Sequence, residues 1–370
     1  MTDISESLRP PENRLASLDV FRGFTMFILI AESTQIFSLL IGSAFRGTFI
    51  EAIGNQFHHH PWNGLRFWDL IQPFFMFIVG VALPFSVAKR EARGEARPQI
   101  VRHAVTRSLV LLLLGWALYC IEPGRITFRF QNVLAQLSVT YLIAFLIMRR
   151  SARAQVVFAF GLLAATELVY RIFPVAGFNQ PFLPDHNAGS YVDLLISGEL
   201  SSGHWVSLNA IPTAAHTIWG VLAGQCLMGD RPAKRKVGTL ALAGLAGLTL
   251  GYALNPVTPI IKRIATSSFV IVSGGWCLVA LAFTFWLVDV RRIRTWSKFL
   301  AVVGMNSLAI YLFTESGGTA WVRGLVKPFV MGFLSWTGEW PAKVLTSGAA
   351  WAVLWLMCYW LFKKKIFIKI

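Results

Sequence analysis

Charge is scarce in this chain, and negative charge scarcer still. Asp, Glu, Lys and Arg make up 14% of 370 residues, and 18 acidic side chains face 34 basic ones. With 55% hydrophobic residues and a mean hydropathy of +0.58, that scarcity excludes an ordinary soluble domain. Cysteine is also rare. Cys120, Cys226, Cys277 and Cys358 all lie in apolar stretches without metal-ligand spacing, which excludes a disulfide framework and reads as packing thiols. No linker or internal repeat divides the chain. The first apolar segment carries Asp19 and Arg22 at its start and has no small-residue cleavage site, so it reads as a retained helix and not as a removed signal peptide.

What is present is a series of long apolar runs. Crossing a hydrocarbon core of roughly 30 Å takes about 20 apolar residues as a helix, which satisfies its own backbone groups in lipid. Ten runs qualify as candidate spans, near 18–41, 67–88, 104–121, 131–148, 154–173, 205–228, 237–254, 266–288, 298–314 and 344–362. Lys and Arg concentrate in alternate connections: at the N-terminus, from Lys89 to Arg107, Arg149 to Arg153, Arg231 to Lys236, Arg291 to Lys298 and in the tail from Lys363 to Lys369. Short basic loops stay cytoplasmic. The expectation is an all-α, polytopic membrane helix bundle of about ten transmembrane helices with both termini cytoplasmic. Residues 1–16 form a cytoplasmic tail and 17–370 a single transmembrane domain. Because the basic excess sits in juxtamembrane loops, nucleic acid is excluded as a partner and membrane lipid is expected. The apolar eighth to tenth spans offer a homodimer face.

Two connections on the opposite side exceed a tight turn, residues 42–66 and 174–204, and long loops of this kind are often lids or binding loops. A third, 315–343, holds an apolar piece interrupted by Lys327 and Pro328 and is expected to be re-entrant or interfacial. The first of these loops carries His58-His59-His60-Pro61-Trp62-Asn63-Gly64. Imidazole accepts protons near neutral pH, and ionisable groups at membrane depth tend to face a cavity or a partner. Among the other ionisable groups in or beside spans, Glu32, Asp69, Glu167 and His216 stand out. Glu32, Asp69 and the histidines belong to one helix-loop-helix unit, so they can converge on one pocket, where a carboxylate is expected to orient an imidazole and raise its basicity. The plainer alternatives are a solvated or adventitiously metal-binding histidine loop, a structural ion pair between Asp19 and Arg22, interhelical polar contacts at Glu167 and His216, and an interfacial anchor at Trp62. Consecutive histidines rarely point at one ion, so no metal is expected.

Several motifs together resemble the heparan-alpha-glucosaminide N-acetyltransferase family and its bacterial relatives. They are Arg14-Leu15-x-Ser17-Leu18-Asp19-Val20-Phe21-Arg22-Gly23, then His59-x-x-Trp62-Asn63-Gly64, then Asp69-Leu70-x-x-Pro73-x-Phe75-x-Phe77-x-x-Gly80. Later segments agree: Val133-Leu134 with Val139-Thr140-Tyr141, Ala210-Ile211-Pro212, Lys262 with Thr266-Ser267-Ser268-Phe269, and Gly304-Met305-Asn306-Ser307. The resemblance implies a multi-pass acyltransferase of a bacterial inner membrane that moves acetyl from cytosolic acetyl-CoA to an amino sugar or related glycan on the other face. It selects His59 from the triplet as general base or acyl carrier, with Asp69 and Glu32 in support. It implies Ser33, Trp62, Asn63, Lys262 and Ser267 at the acceptor. Arg22, Arg102, Arg107 and Asn306 are expected at CoA, although the arginines also fit ordinary loop charge. The chain departs from the family pattern at Ser33 (Asn in relatives), Ala135-Gln136 (Gln-Arg) and Ala265 (Trp), mostly on the expected acceptor side. A sugar transporter without acyl transfer is the rival reading, because a ten-helix bundle with midplane polar groups also suits alternating access. A non-catalytic scaffold is a third.

Overall fold

The computed structural model describes residues 15–121 and 123–368. Arg14 of the first motif, Lys369, and nearly all of the expected tail lie outside the described residues. Among those described, the backbone is helical apart from loops and one isolated antiparallel bridge between Asn63 and Ile261. The helices are α1 (Ala16–Ser33), α2 (Phe49–Gln56), α3 (Ile71–Glu91), α4 (Arg97–Ile121), α5 (Val133–Ile147), α6 (Ala152–Ile172), α7 (Ala188–Ser197), α8 (Ala214–Met228), α9 (Ala233–Leu254), α10 (Ser267–Phe285), α11 (Ser297–Met305), α12 (Ser307–Glu315), α13 (Gly318–Leu334) and α14 (Glu339–Lys363). Their starts follow local chemistry. Thr48, Asn132, Ser151 and Asn187 each accept a backbone N–H three residues on, the N-cap arrangement.

Six helical segments are long and apolar enough to cross a membrane: Phe67–Glu91, Arg97–Ile121, Ala152–Ile172, Ala233–Leu254, Ser267–Val290 and Glu339–Lys363. The pair α11 and α12, bent by 66° at Asn306, makes a seventh if counted as one. Each of the ten apolar runs contains helix, but three fall short of that standard. α5 and α8 have 15 residues each, about 22 Å at the helical rise and less than the hydrocarbon core. α1 carries Asp19, Arg22 and Glu32 within its 18 residues. The run expected at 18–41 stops at Ser33, where Gln35 adopts φ +62° and a 3₁₀ turn, Phe37–Ile41, begins. The run expected at 205–228 becomes helical only at Ala214, after a 3₁₀ turn, Ser207–Ala210. The stretch 315–343 contains a 17-residue helix, α13, with Pro328 inside it.

Segment Phe67–Glu91 and α10 are central: 67% and 56% of their apolar windows are buried, against 17–22% for α4, α6 and α9. Phe21, Phe74 and Phe77 pack with Leu281 and Phe285 at the centre, while Val157, Leu242 and Phe333 project outward from peripheral helices. Glycine permits the closest crossings. A Cβ on Gly80 would overlap the Thr217 carbonyl, and one on Gly220 would overlap the Phe77 carbonyl, so α3 and α8 touch backbone to backbone. Gly23 of α1 and Gly304 of α11 make a second such contact. The bundle thereby acquires two ends. One gathers the connections after α1, α6, α7 and α9. The other gathers the basic connections, tied by Arg149 to Glu91, Arg90 to Glu95 (2.7 Å) and the Ser17 N–H to Asp289 (3.1 Å).

Candidate functional site

The histidine loop is closed from beneath by Asp69. This residue lies in the 3₁₀ turn Phe67–Leu70 that leads into α3 and is 1% exposed. Its Oδ2 accepts the backbone N–H groups of His60 (3.2 Å) and Arg66 (3.0 Å), folding ten residues of loop back on themselves. Its Oδ1 lies 2.8 Å from Nδ1 of His59. The Arg66 guanidinium donates to the His59 carbonyl at 3.1 Å, fixing the same residue by its main chain. The geometry singles out one imidazole of three. Nδ1 of His60 accepts the Trp62 N–H at 3.3 Å, and Nε2 of His58 is buried without a hydrogen-bond partner.

A second loop, between α9 and α10, supplies a cation. Asn63 Oδ1 accepts the Ile260 N–H at 3.0 Å, and the Gly64 N–H donates to the Ile260 carbonyl at 2.8 Å, latching the two loops together. Gly64 adopts φ +150°, open to glycine and strained for other residues. Lys262, 7% exposed, then projects its Nζ to 3.2 Å from His59 Nδ1 and 3.8 Å from Asp69 Oδ1. A third segment covers the pair. The Trp205 ring stands edge-on to His59 with centroids 5.1 Å apart, and Lys262 Nζ lies 5.5 Å from that ring. Arg263 packs on its face as well, 5.4 Å from the centroid.

Nδ1 of His59 cannot serve both neighbours with one proton. The ionised carboxylate makes the stronger, charge-assisted bond, so Nδ1 donates to Asp69, Lys262 acts as an ion-pair partner, and Nε2 keeps its lone pair. The expected rise in basicity does not occur. Burial, then the positive charge of Lys262, push the His59 pKa down from 6.5 to about 4, outweighing Asp69. Burial likewise lowers Lys262 to about 8, against the pull of Asp69. The imidazole is therefore neutral at physiological pH and oriented, with one nitrogen available for attack or proton transfer.

The other expected site residues divide by location. Glu32, in the last turn of α1, has the carboxylate of Glu315 as its electrostatic neighbour, and no hydrogen bond or ion pair joins it to His59. Ser33 Oγ lies 3.0 Å from Thr319 Oγ1 at the start of α13. Trp62 donates from Nε1 to the Phe182 carbonyl at 2.8 Å, fastening the loop before α7, and Asn63 is committed to the latch. Ser267 bonds Glu167 at 3.1 Å, in a cluster with Thr258 and Arg171. Arg107 lies over the Tyr141 ring at 4.8 Å, and Arg102 is exposed on α4. Arg22 lies half-buried in the first turns of α1, and Asn306 is fully buried at the bend with both amide atoms unpartnered. Sequence reasoning missed Trp205, Arg66 and Arg263. Trp205 is 146 positions from His59 and carries no spacing signal; the charge of Arg66 beside the histidines was the one available hint.

The fold and site define a helical membrane protein in which a half-buried His59 meets buried Asp69 and Lys262 at one end of the bundle. A family signature described as "Domain of unknown function (DUF5009)" matches residues 14–162, which include His59 and Asp69 but not Lys262. The mouse heparan-alpha-glucosaminide N-acetyltransferase is 29% identical over 146 residues, 37% of this chain and 20% of that protein. The human protein of the same name is 29% identical over 145 residues, 37% of this chain and 19% of its own length. The chain is a relative of the heparan-alpha-glucosaminide N-acetyltransferases, and the matched stretch spans about a fifth of those proteins.

Proposed function

We propose that this protein is a membrane acetyltransferase that takes acetyl from acetyl-CoA on the cytosolic side and gives it to an amino sugar or related glycan on the opposite face. The observation that carries the reading is the placement of His59 Nδ1 at 2.8 Å from Asp69 and 3.2 Å from Lys262. The positive-inside rule puts the basic end in the cytoplasm, with ten spans, both termini inside and residues 17–370 acting as one domain of a bacterial inner membrane. CoA phosphates call for cations on that face, where Arg22, Arg102 and Arg107 are the candidates. Asn306, at the bend, supplies polar groups along the route. A homodimer through the late helices completes the proposal.

The chemistry favours His59 as acyl carrier. Its neutral Nε2 attacks the acetyl carbonyl carbon, the carbon–sulfur bond breaks, and the thiolate leaves and takes up the proton lost from imidazole. Asp69 stabilises the transient positive charge through Nδ1–H. The acceptor amine then attacks the acetyl carbon, the bond from that carbon to Nε2 breaks, and the proton lost by the amine passes to the imidazole, restoring neutral His59. Glu32, Ser33, Trp62 and Ser267 remain acceptor-side candidates; Lys262 is better read as holding His59 neutral than as binding sugar. The transporter reading leans on the 66° break between α11 and α12, since discontinuous helices line transport sites. Among the described residues that break has no counterpart in the first half of the bundle.

The test is CoA release from acetyl-CoA by detergent-purified protein, wild type and His59→Ala, with and without glucosamine and other sugars. Acceptor-dependent release that falls at least about a hundredfold in the variant is expected. Equal turnover by both proteins sinks the reading.

A further inference from the structure

A groove of about 820 Å³ runs along α10 on the side of the bundle where α1 and the start of α3 meet it. That volume lies in the range of specific ligand pockets, roughly 300–1,000 Å³. Its floor and walls are apolar: Phe24 from α1, Phe74 from α3, and Trp276, Ala280, Phe283 and Leu287 along one stripe of α10 and the turn Trp286–Val290 that continues it. Phe283 is 57% exposed, so the groove is open sideways, toward the position of lipid around a membrane bundle. From Trp276 to Leu287 the stripe covers eleven helical steps, about 16 Å, or half of a hydrocarbon core.

The charge distribution around this groove is one-sided. Among its lining residues Arg66 is the charged one and no carboxylate is present. Arg66 stands at the end that also holds Gln56 and the histidine loop, and it spends Nη1 on the His59 carbonyl. A chain lying in the groove therefore has its head beside Arg66, one residue contact from His59.

We propose that this groove binds the hydrocarbon chain of a long-chain lipid phosphate, with the phosphate at Arg66, and that the glycan acceptor reaches His59 attached to such a lipid. Binding of the lipid phosphate stands on the groove alone; the statement about the acceptor rests on the acetyl-transfer reading. The position of the cation decides between amphiphiles. In a sugar carried on a lipid phosphate the charge lies between chain and sugar, so a phosphate at Arg66 puts the sugar at the histidine. In a long-chain acyl thioester the head of the chain is a neutral carbonyl, and the pantetheine arm separates it from the CoA phosphates, so Arg66 has no charge to meet. A guanidinium suits a phosphate by bidentate, charge-assisted bonding.

The experiment uses the full chain in nanodiscs of neutral phosphatidylcholine. Binding of a prenyl monophosphate is measured against the uncharged prenol of the same chain, in wild type, Ala280→Trp, which fills the groove, and Arg66→Gln. Wild type is expected to prefer the phosphate about tenfold or more. Ala280→Trp loses binding of both probes, and Arg66→Gln binds phosphate and alcohol alike. Equal affinity of wild type for the two probes overturns the proposal, even if neither variant folds. So does equal displacement of the phosphate by phosphatidylglycerol, which marks a site for bulk lipid. Retained phosphate preference without CoA release in any acceptor assay removes the acetyl-transfer reading and leaves the groove. Acetylation of soluble sugars without phosphate preference does the reverse.

Discussion

Replacing Lys262 by Met tests the electrostatics of the site most directly. The substitution keeps an unbranched chain against Trp205 and removes a positive charge 3.2 Å from His59 Nδ1. The imidazole side chain is 34% exposed, so solvent screens part of that charge. With an effective dielectric of about 40–80, the repulsion between Lys262 and a protonated His59 is about 1.3–2.6 kcal/mol, roughly 1–2 pH units. Asp69 keeps its charge in the variant and acts in the same direction. The His59 titration, pushed down to about 4 in the wild type, moves up by that amount. The rate at which diethyl pyrocarbonate modifies His59, followed by peptide mass spectrometry across pH, reports the neutral imidazole without assuming any enzymatic activity. A midpoint that stays in place or moves to lower pH refutes the reasoning. The same depression bears on stability. Between pH 6.5 and about 4 the unfolded chain binds a proton at His59 that the folded site refuses, so wild-type stability falls as pH drops through that window.

Asp69→Asn keeps the shape of the side chain but strands Lys262, 7% exposed, without its counter-charge. A loss of about 3–5 kcal/mol is expected, seen as a lower melting temperature in detergent. Asp69→Asn combined with Lys262→Met recovers part of that loss, and strict additivity of the two single changes argues against the pair. Gly220→Val forces side-chain carbon onto the Phe77 carbonyl at the α3–α8 crossing, with an expected cost of about 1–3 kcal/mol. An unchanged melting temperature in that variant means the two helices do not cross as described.

Much of this molecule is legible in its sequence. Long apolar runs become helices because a backbone in lipid has to bond to itself, a local requirement that hydropathy reports. His59 and Asp69 are ten positions apart on either side of one turn, so their convergence followed from chain connectivity. Helix ends were less legible. In the run 18–41 the polar stretch Glu32-Ser33-Thr34-Gln35 marks where α1 stops, but apolar sequence resumes after it, and the bend at Asn306 sits inside apolar sequence, so both ends depend on what packs alongside. The resemblance to acetyltransferases selected His59 from three histidines, and its imidazole is the one whose ring meets Asp69, at 2.8 Å.

The sequence by itself determined the apolar character of this chain, the helical class, the clustering of its basic residues in alternate connections and the carboxylate-imidazole unit, since each is written in residues close together along the chain. Only the tertiary structure decided that Lys262 neutralises Asp69 and suppresses protonation of His59, that Trp205 covers the pair, and that Arg66 ends an apolar groove. Those groups are brought together by glycine-mediated helix crossings and a loop-to-loop latch. An electrostatic field over a few ångströms depends on such distances and not on separation in sequence.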